Sequence, residues 1–228
     1  MRVALVDGMR GMAILMMVAY HVVFDIDYLG LADIDLQWLP ILLFQRATGS
    51  LFILVAGISM TLSESRDNGY THHAKRAGFL GLVALAITIA TWVYPHEGFI
   101  TFGIMHFLAA ATMIAPFFFR FGKLNVALAL LAILLGLALN SMRTESHLLF
   151  PLGLPYPEYS ALDYYPLLPW FGIILLGICA GQALFVDKKL DARIPRWLSF
   201  LGRNSLVVYL IHQPVLIGIM IAAKMALG

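Results

Sequence analysis

The chain reads as an all-α integral membrane protein, a bundle of about seven transmembrane helices with its N-terminus cytoplasmic and its C-terminus outside. Three observations predict this. Hydrophobic residues make up 61% of the 228 positions and charged residues only 12%, whereas soluble domains carry about 25% charged residues; mean hydropathy is +0.86. Seven apolar stretches approach the roughly 20 residues needed to cross the hydrocarbon core. The cations between those stretches also fall on one side when the N-terminus is placed inside.

The expected spans, taken in order, are 8 to 29, 39 to 62, 76 to 95, 99 to 119, 123 to 141, 165 to 186 and 204 to 226. The first follows a basic start, MRVALVDGMRGMAI, but no A-x-A-like cleavage site follows and His21 and Asp25 interrupt its apolar run, so it is expected to be retained. The second carries Arg46, the fourth His106, and the sixth opens on Trp170, an interfacial anchor. Cytoplasmic cations are then Arg2, Arg10, Arg66, Lys75, Arg76, Arg120, Lys123, Lys188, Lys189, Arg193, Arg196 and Arg203, against Arg143 and Lys224 outside. The outer loops collect the acids Asp27, Asp33, Asp35, Glu97, Glu145, Glu158 and Asp163. The sizeable loops are 30 to 38 and the proline-rich 142 to 164, a turn-rich cover. No repeat or linker divides the chain, which is expected to form a single transmembrane domain over 1–228. The lone Cys179 excludes an intramolecular disulfide framework; a net charge of +2 says little about partners, because the placement of charge and not its total sets orientation, and nucleic acid is not an expected ligand.

Ionisable residues inside spans are the informative ones, because each Asp or Arg costs about 2.5–3.5 kcal/mol at the bilayer centre and normally faces protein or a water-filled path. In VDGMRGMAILMMVAYHVVFDI, Asp7, Arg10, His21 and Asp25 fall within an arc of roughly 60° at 100° per residue. His21, Arg46 and His106 all come to a layer about 10 Å below the outer surface. Asp25, one turn above His21, is placed to hold the imidazole in one tautomer. His21, Asp25, Arg46 and His106 therefore form a candidate buried acid/base site. Plainer roles stay open: a helix-to-helix hydrogen bond for His106, snorkelling or a tie to Asp25 for Arg46, and capping or kink satisfaction for His212 beside Gln213 and Pro214. His72 and His73 are expected in a solvated basic loop. Gly49, Gly57, Gly172, Gly177 and Gly181 read as close-packing positions.

Six segments in order resemble the membrane acyltransferases related to the heparan-α-glucosaminide N-acetyltransferase catalytic domain. They are the opening around Asp7, Arg10, Gly11, Tyr20, His21 and Asp25, then SLFILVAGISM at 50 to 60, KRA at 75 to 77, FGIMHFLA at 102 to 109, YPLLPWFGIILLG at 165 to 177, and FLGRNSLVVYLIHQP at 200 to 214. The resemblance covers nearly the whole chain and points to the small prokaryotic branch. It implies transfer of an acyl group, usually acetyl, from cytoplasmic acyl-CoA to a sugar or glycolipid amine or hydroxyl across the cell membrane. No metal is expected. In that reading Arg10 and Arg203 meet the CoA phosphates. His21 is general base or transient acyl carrier, Asp25 orients it, and Arg46 or His106 stabilises the oxyanion. Larger relatives carry more spans and bulky lumenal domains. The short outer loops here leave open a missing acceptor domain, a small or lipid-linked acceptor, or a changed function.

Other classes stay open. A permease also lines a midplane path with ionisable residues, though no inverted repeat is evident and seven spans divide poorly into halves. A membrane cytochrome would pair His21 with His106 on a haem, and a structural component would need none of these groups.

Overall fold

The computed structural model describes residues 3–65, 69–184 and 193–227. Arg2, Arg66, Lys188 and Lys189, counted above on the cytoplasmic side, lie outside the described residues. The helices are α1 (Ala4–Tyr28), α2 (Leu39–Glu64), α3 (Gly69–Val93), α4 (Ile104–Ile114), α5 (Leu124–Asn140), α6 (Leu167–Leu184), α7 (Arg196–Arg203) and α8 (Ser205–Leu227). A 3-10 turn, Ala115–Phe121, prolongs α4. Among the described residues six helices, counting α4 with its 3-10 turn, are long and apolar enough to cross a membrane, and α5 is a shorter apolar helix of 17 residues. Among the described residues no strand forms; Phe102 and Tyr164 make one isolated bridge. The protein is an all-α, multi-pass membrane protein.

Contacts divide the chain into two compact units, residues 1–55 with 189–228, and residues 56–188. In the first unit α1 and α8 run in the same direction. The rings of His21 and His212 lie 4.7 Å apart, Gln213 Nε2 donates to Asp25 Oδ1 at 2.6 Å, and Lys224 Nζ donates to the Leu29 carbonyl at 2.9 Å. Partners on α8 advance as positions on α1 advance, with sequence separations of 188 and 195 for the two hydrogen bonds, as parallel helices require. Helix α7 was not expected as a separate element. It presses on the first turns of α1, where the Leu198 carbonyl occupies the space a Gly11 side chain would need and the Asp7 carbonyl that of a Gly202 side chain.

In the second unit the end of α2 runs parallel to α6. Thr61 Oγ1 lies 3.2 Å from the Gly57 carbonyl and 3.4 Å from the Ile178 carbonyl, and Thr61 packs against Gly181. Helices α3 and α4 are antiparallel, with Tyr70 beside Met113 and Thr88 beside His106. So are α5 and α6, where Gly136 packs on Pro169 and Gly172 on the Ala129 carbonyl. Leu168 has φ −105° and ψ 130°, outside the helical region, so regular α6 begins at Pro169, a residue suited to a first helical turn. Parity then counts the crossings. Parallel α2 and α6 need an odd number of crossings between them, and with α3 and α4 both long enough to cross, α5 has to make the third. The short α5, at about 25 Å, lies at the lower limit of a span.

Two expectations change. The fourth helix begins at Ile104, not near 99, because Pro95, His96 (φ +74°) and Gly98 (φ +67°) turn the chain first. His73 is not solvated: it is 1% exposed and donates from Nε2 to Glu64 Oε2 at 3.0 Å, while His72 is exposed. The 142 to 164 segment forms the expected turn-rich cover. Its Asp163 Oδ2 accepts the Ile104 N–H at 2.8 Å, capping α4. Tyr164 donates to the Phe150 carbonyl at 2.6 Å, and Tyr159 shares a 2.9 Å hydrogen bond with Thr101. Burial pushes the Asp163 carboxyl up to about 6, against the Ile104 hydrogen bond that lowers it, and burial raises the Tyr159 phenol to about 12.

Candidate functional site

The polar stripe of α1 meets α8, and the residue opposite His21 is His212. Their rings stand edge to face, 4.7 Å between centroids at 75°. Each imidazole is fixed by its own helix. His21 Nδ1 lies 2.8 Å from the Met17 carbonyl and His212 Nδ1 lies 2.6 Å from that of Tyr209. A carbonyl only accepts, so both Nδ1 atoms carry the proton, and in the neutral imidazole Nε2 is then the nitrogen with the lone pair. The hydrogen bond expected from Asp25 to orient His21 is made by the Met17 carbonyl, one turn back on the same helix, and Asp25 bonds to Gln213 instead.

Asp25 has another partner. Fully buried, it accepts the Gln213 Nε2–H at Oδ1. Asp25 Oδ2, Gln213 Oε1 and His212 Nε2 are all buried, and none has a hydrogen-bond partner among the described residues. With Asp25 ionised all three are acceptors, and a buried acceptor left unsatisfied costs about 1–3 kcal/mol. The cluster is matched to a group that brings N–H or O–H donors.

Arg10 Nη1 donates to Asp7 Oδ1 at 3.2 Å as well as to the Gly202 carbonyl. Because Arg203 follows Gly202, both sequence-predicted cations gather at the end where α1 begins. From Arg10 to His21 is 11 residues, about 16 Å along the helix. Arg46, in the same unit, is exposed on α2. His106 lies in the second unit, where Thr88 donates its one proton to the Ile100 carbonyl at 2.7 Å and so accepts from His106 Nε2 at 3.1 Å. His106 Nδ1 is left bare and buried. Thus α1, α7 and α8 bring together His21, Asp25, Arg10 and Arg203.

His212 and Gln213 were not expected in the site. His212 stood out as an intramembrane histidine but was read as a capping or kink-satisfying residue, since which helix neighbours α1 is not written in either helix. A family model described as heparan-alpha-glucosaminide N-acetyltransferase, catalytic, matches residues 2–214. The chain belongs to this family. The matched stretch runs from before Asp7 to just past Gln213, so the α1 and α8 residues of the site all lie within the N-acetyltransferase catalytic match. Membership in the heparan-alpha-glucosaminide N-acetyltransferase family suggests a membrane acyltransferase, in a family that uses acetyl-CoA as donor in general. No curated protein and no solved structure matches the chain.

Proposed function

We propose that this protein transfers an acyl group, acetyl in the first instance, from cytoplasmic acyl-CoA to an amine or hydroxyl of a saccharide or glycolipid at the outer side of the cytoplasmic membrane. The observation that carries the reading is the His21–His212 pair, two Nδ1-protonated imidazoles with free Nε2 atoms, beside the acceptor cluster of Asp25 and Gln213. Arg10 and Arg203 bind the CoA phosphates, as guanidinium forks suit, and the thioester arm extends along α1 toward His21. Asp25 Oδ2 and Gln213 Oε1 receive the donors of the acceptor substrate.

The step balances as follows. One imidazole Nε2 takes the proton of the attacking amine or hydroxyl, whose N–C or O–C bond forms as the C–S bond breaks. The departing thiolate then recovers a proton from the imidazolium. In the acyl-histidine variant, His21 Nε2 attacks the thioester carbonyl and its N–C bond replaces the C–S bond as CoA thiolate departs; His212 Nε2 then takes the proton of the amine or hydroxyl that attacks the acyl group, the N–C bond to His21 breaks, and that proton passes to the thiolate. Arg46, in the same unit as the histidine pair, is the candidate for stabilising the tetrahedral oxyanion.

The test is incubation of nanodisc-embedded protein with radiolabelled acetyl-CoA, comparing the native chain with His21→Ala and His212→Ala for CoA release and for label on protein or amino sugar. Histidine-dependent CoA release supports the reading. Folded protein that neither binds nor turns over any of several acyl-CoAs overturns it and favours substrate flux without covalent turnover.

A further inference from the structure

Helix α7 has two dissimilar faces. Leu198 and Gly202 are buried against α1, while Trp197 and Phe200 are 58% and 59% exposed, and Arg193, Arg196 and Arg203 are exposed around them. At 100° per residue Arg196, Phe200 and Trp197 fall within about 100° of one another, turned away from the docked side. The helix lies beside residues 7–11 of α1, the first turns of a span, and α8 begins after Asn204. An element there sits at the level where hydrocarbon gives way to headgroups. Large aromatics with guanidinium groups are the composition of a helix lying in that plane, apolar groups down and cations among the phosphates.

We infer that the outer face of α7 is a binding surface for anionic phospholipid headgroups of the leaflet at which α1 starts, with Arg193 and Arg196 on the phosphates and Trp197 and Phe200 among the upper acyl chains. The choice of an anionic lipid rests on charge: the exposed part of α7 and the preceding turn carries arginines, and no acid lies among residues 193–203. Such a contact bears on the site, because the docked face of α7 carries the Gly202 carbonyl that receives Arg10. It does not rest on the acyltransferase reading.

The chain is made with Trp38→Phe, Trp92→Phe and Trp170→Phe, leaving Trp197 as its fluorophore, and placed in vesicles of brominated phosphatidylglycerol or brominated phosphatidylcholine. Trp197 should be quenched most by bromine near the top of the acyl chain and should prefer phosphatidylglycerol. Arg196→Gln should lower that preference roughly fivefold, the effect of one basic residue at an anionic surface. Equal quenching by the two lipids, quenching by aqueous acrylamide but by neither lipid, or the same emission change from inorganic phosphate alone would each overturn the inference. Should the three-Phe chain not fold, hydrogen exchange of residues 196–203 in the native chain replaces it: slowing by phosphatidylglycerol over phosphatidylcholine supports the contact, and identical exchange refutes it.

Discussion

At the scale of single residues, the proposed transfer turns on which nitrogen of each histidine is available. Hydrogen bonds from Nδ1 to Met17 and Tyr209 occupy that nitrogen in both rings and leave Nε2 for the chemistry, so on the proposed reading His21→Asn or His212→Asn should lower single-turnover acyl transfer by roughly 10²–10⁴, the range for a lost general base. Retained turnover in both variants would remove the pair from the chemistry. Gln213→Leu removes the hydrogen bond to buried Asp25 and should impair the acceptor more than CoA binding, read as a rise in acceptor KM at unchanged acetyl-CoA affinity. Asp163 gives the pH dependence. Its carboxyl is pushed up to about 6 from an ordinary 3.8, chiefly by burial, so the folded state holds the proton more tightly. The stability it contributes is full below about pH 4 and is lost as pH rises through 6. Thermal midpoints measured across that window should fall in the native chain relative to Asp163→Asn, whose amide does not titrate there.

At the scale of elements, small residues decide which helices touch. Gly11 and Gly202 let α7 meet α1 backbone to backbone. Gly202→Ala drives a methyl into the Asp7 carbonyl and should cost about 1–3 kcal/mol by overpacking, with loss of the Arg10 contact at that end. Gly81→Ala in α3, where nothing lies within 4 Å of the added carbon, should be neutral or stabilising by up to about 1 kcal/mol. Thermal unfolding of the two variants in one detergent makes the comparison; equal midpoints would show that α7 is not held by its close approach. Much of this level was legible beforehand. The seven apolar runs and the turn-rich cover correspond to helices and loop with shifted ends, and Gly57, Gly172 and Gly181 are contact positions as expected. Helix α7 was not legible, because eight residues make only about two turns, too short a run to stand out as an element of its own beside a 23-residue span.

At the scale of the whole molecule, the parallel pairs α1 with α8 and α2 with α6 make the number of crossings odd. In a Cys179→Ser background, Lys123→Cys and Ser146→Cys flank α5 and should react with a membrane-impermeant maleimide from opposite sides of the membrane. Labelling of both from one side would mean that α5 does not cross. The same experiment reports orientation, with residue 123 expected inside.

The sequence by itself determined that the chain is a multi-pass helical membrane protein, because hydrocarbon thickness turns apolar length into spans and leaves intramembrane ionisable groups conspicuous. His21, Asp25 and Arg10 stood out for that reason, each by its cost on one helix. Only tertiary structure decided what those groups face. That His21 meets His212, and that Asp25 takes Gln213, follows from α1 and α8 lying side by side in parallel, the hydrogen-bonded pairs being 188 and 195 residues apart in sequence. Helix adjacency is a property of packed surfaces contributed by both partners, so neither helix's own periodicity contains it.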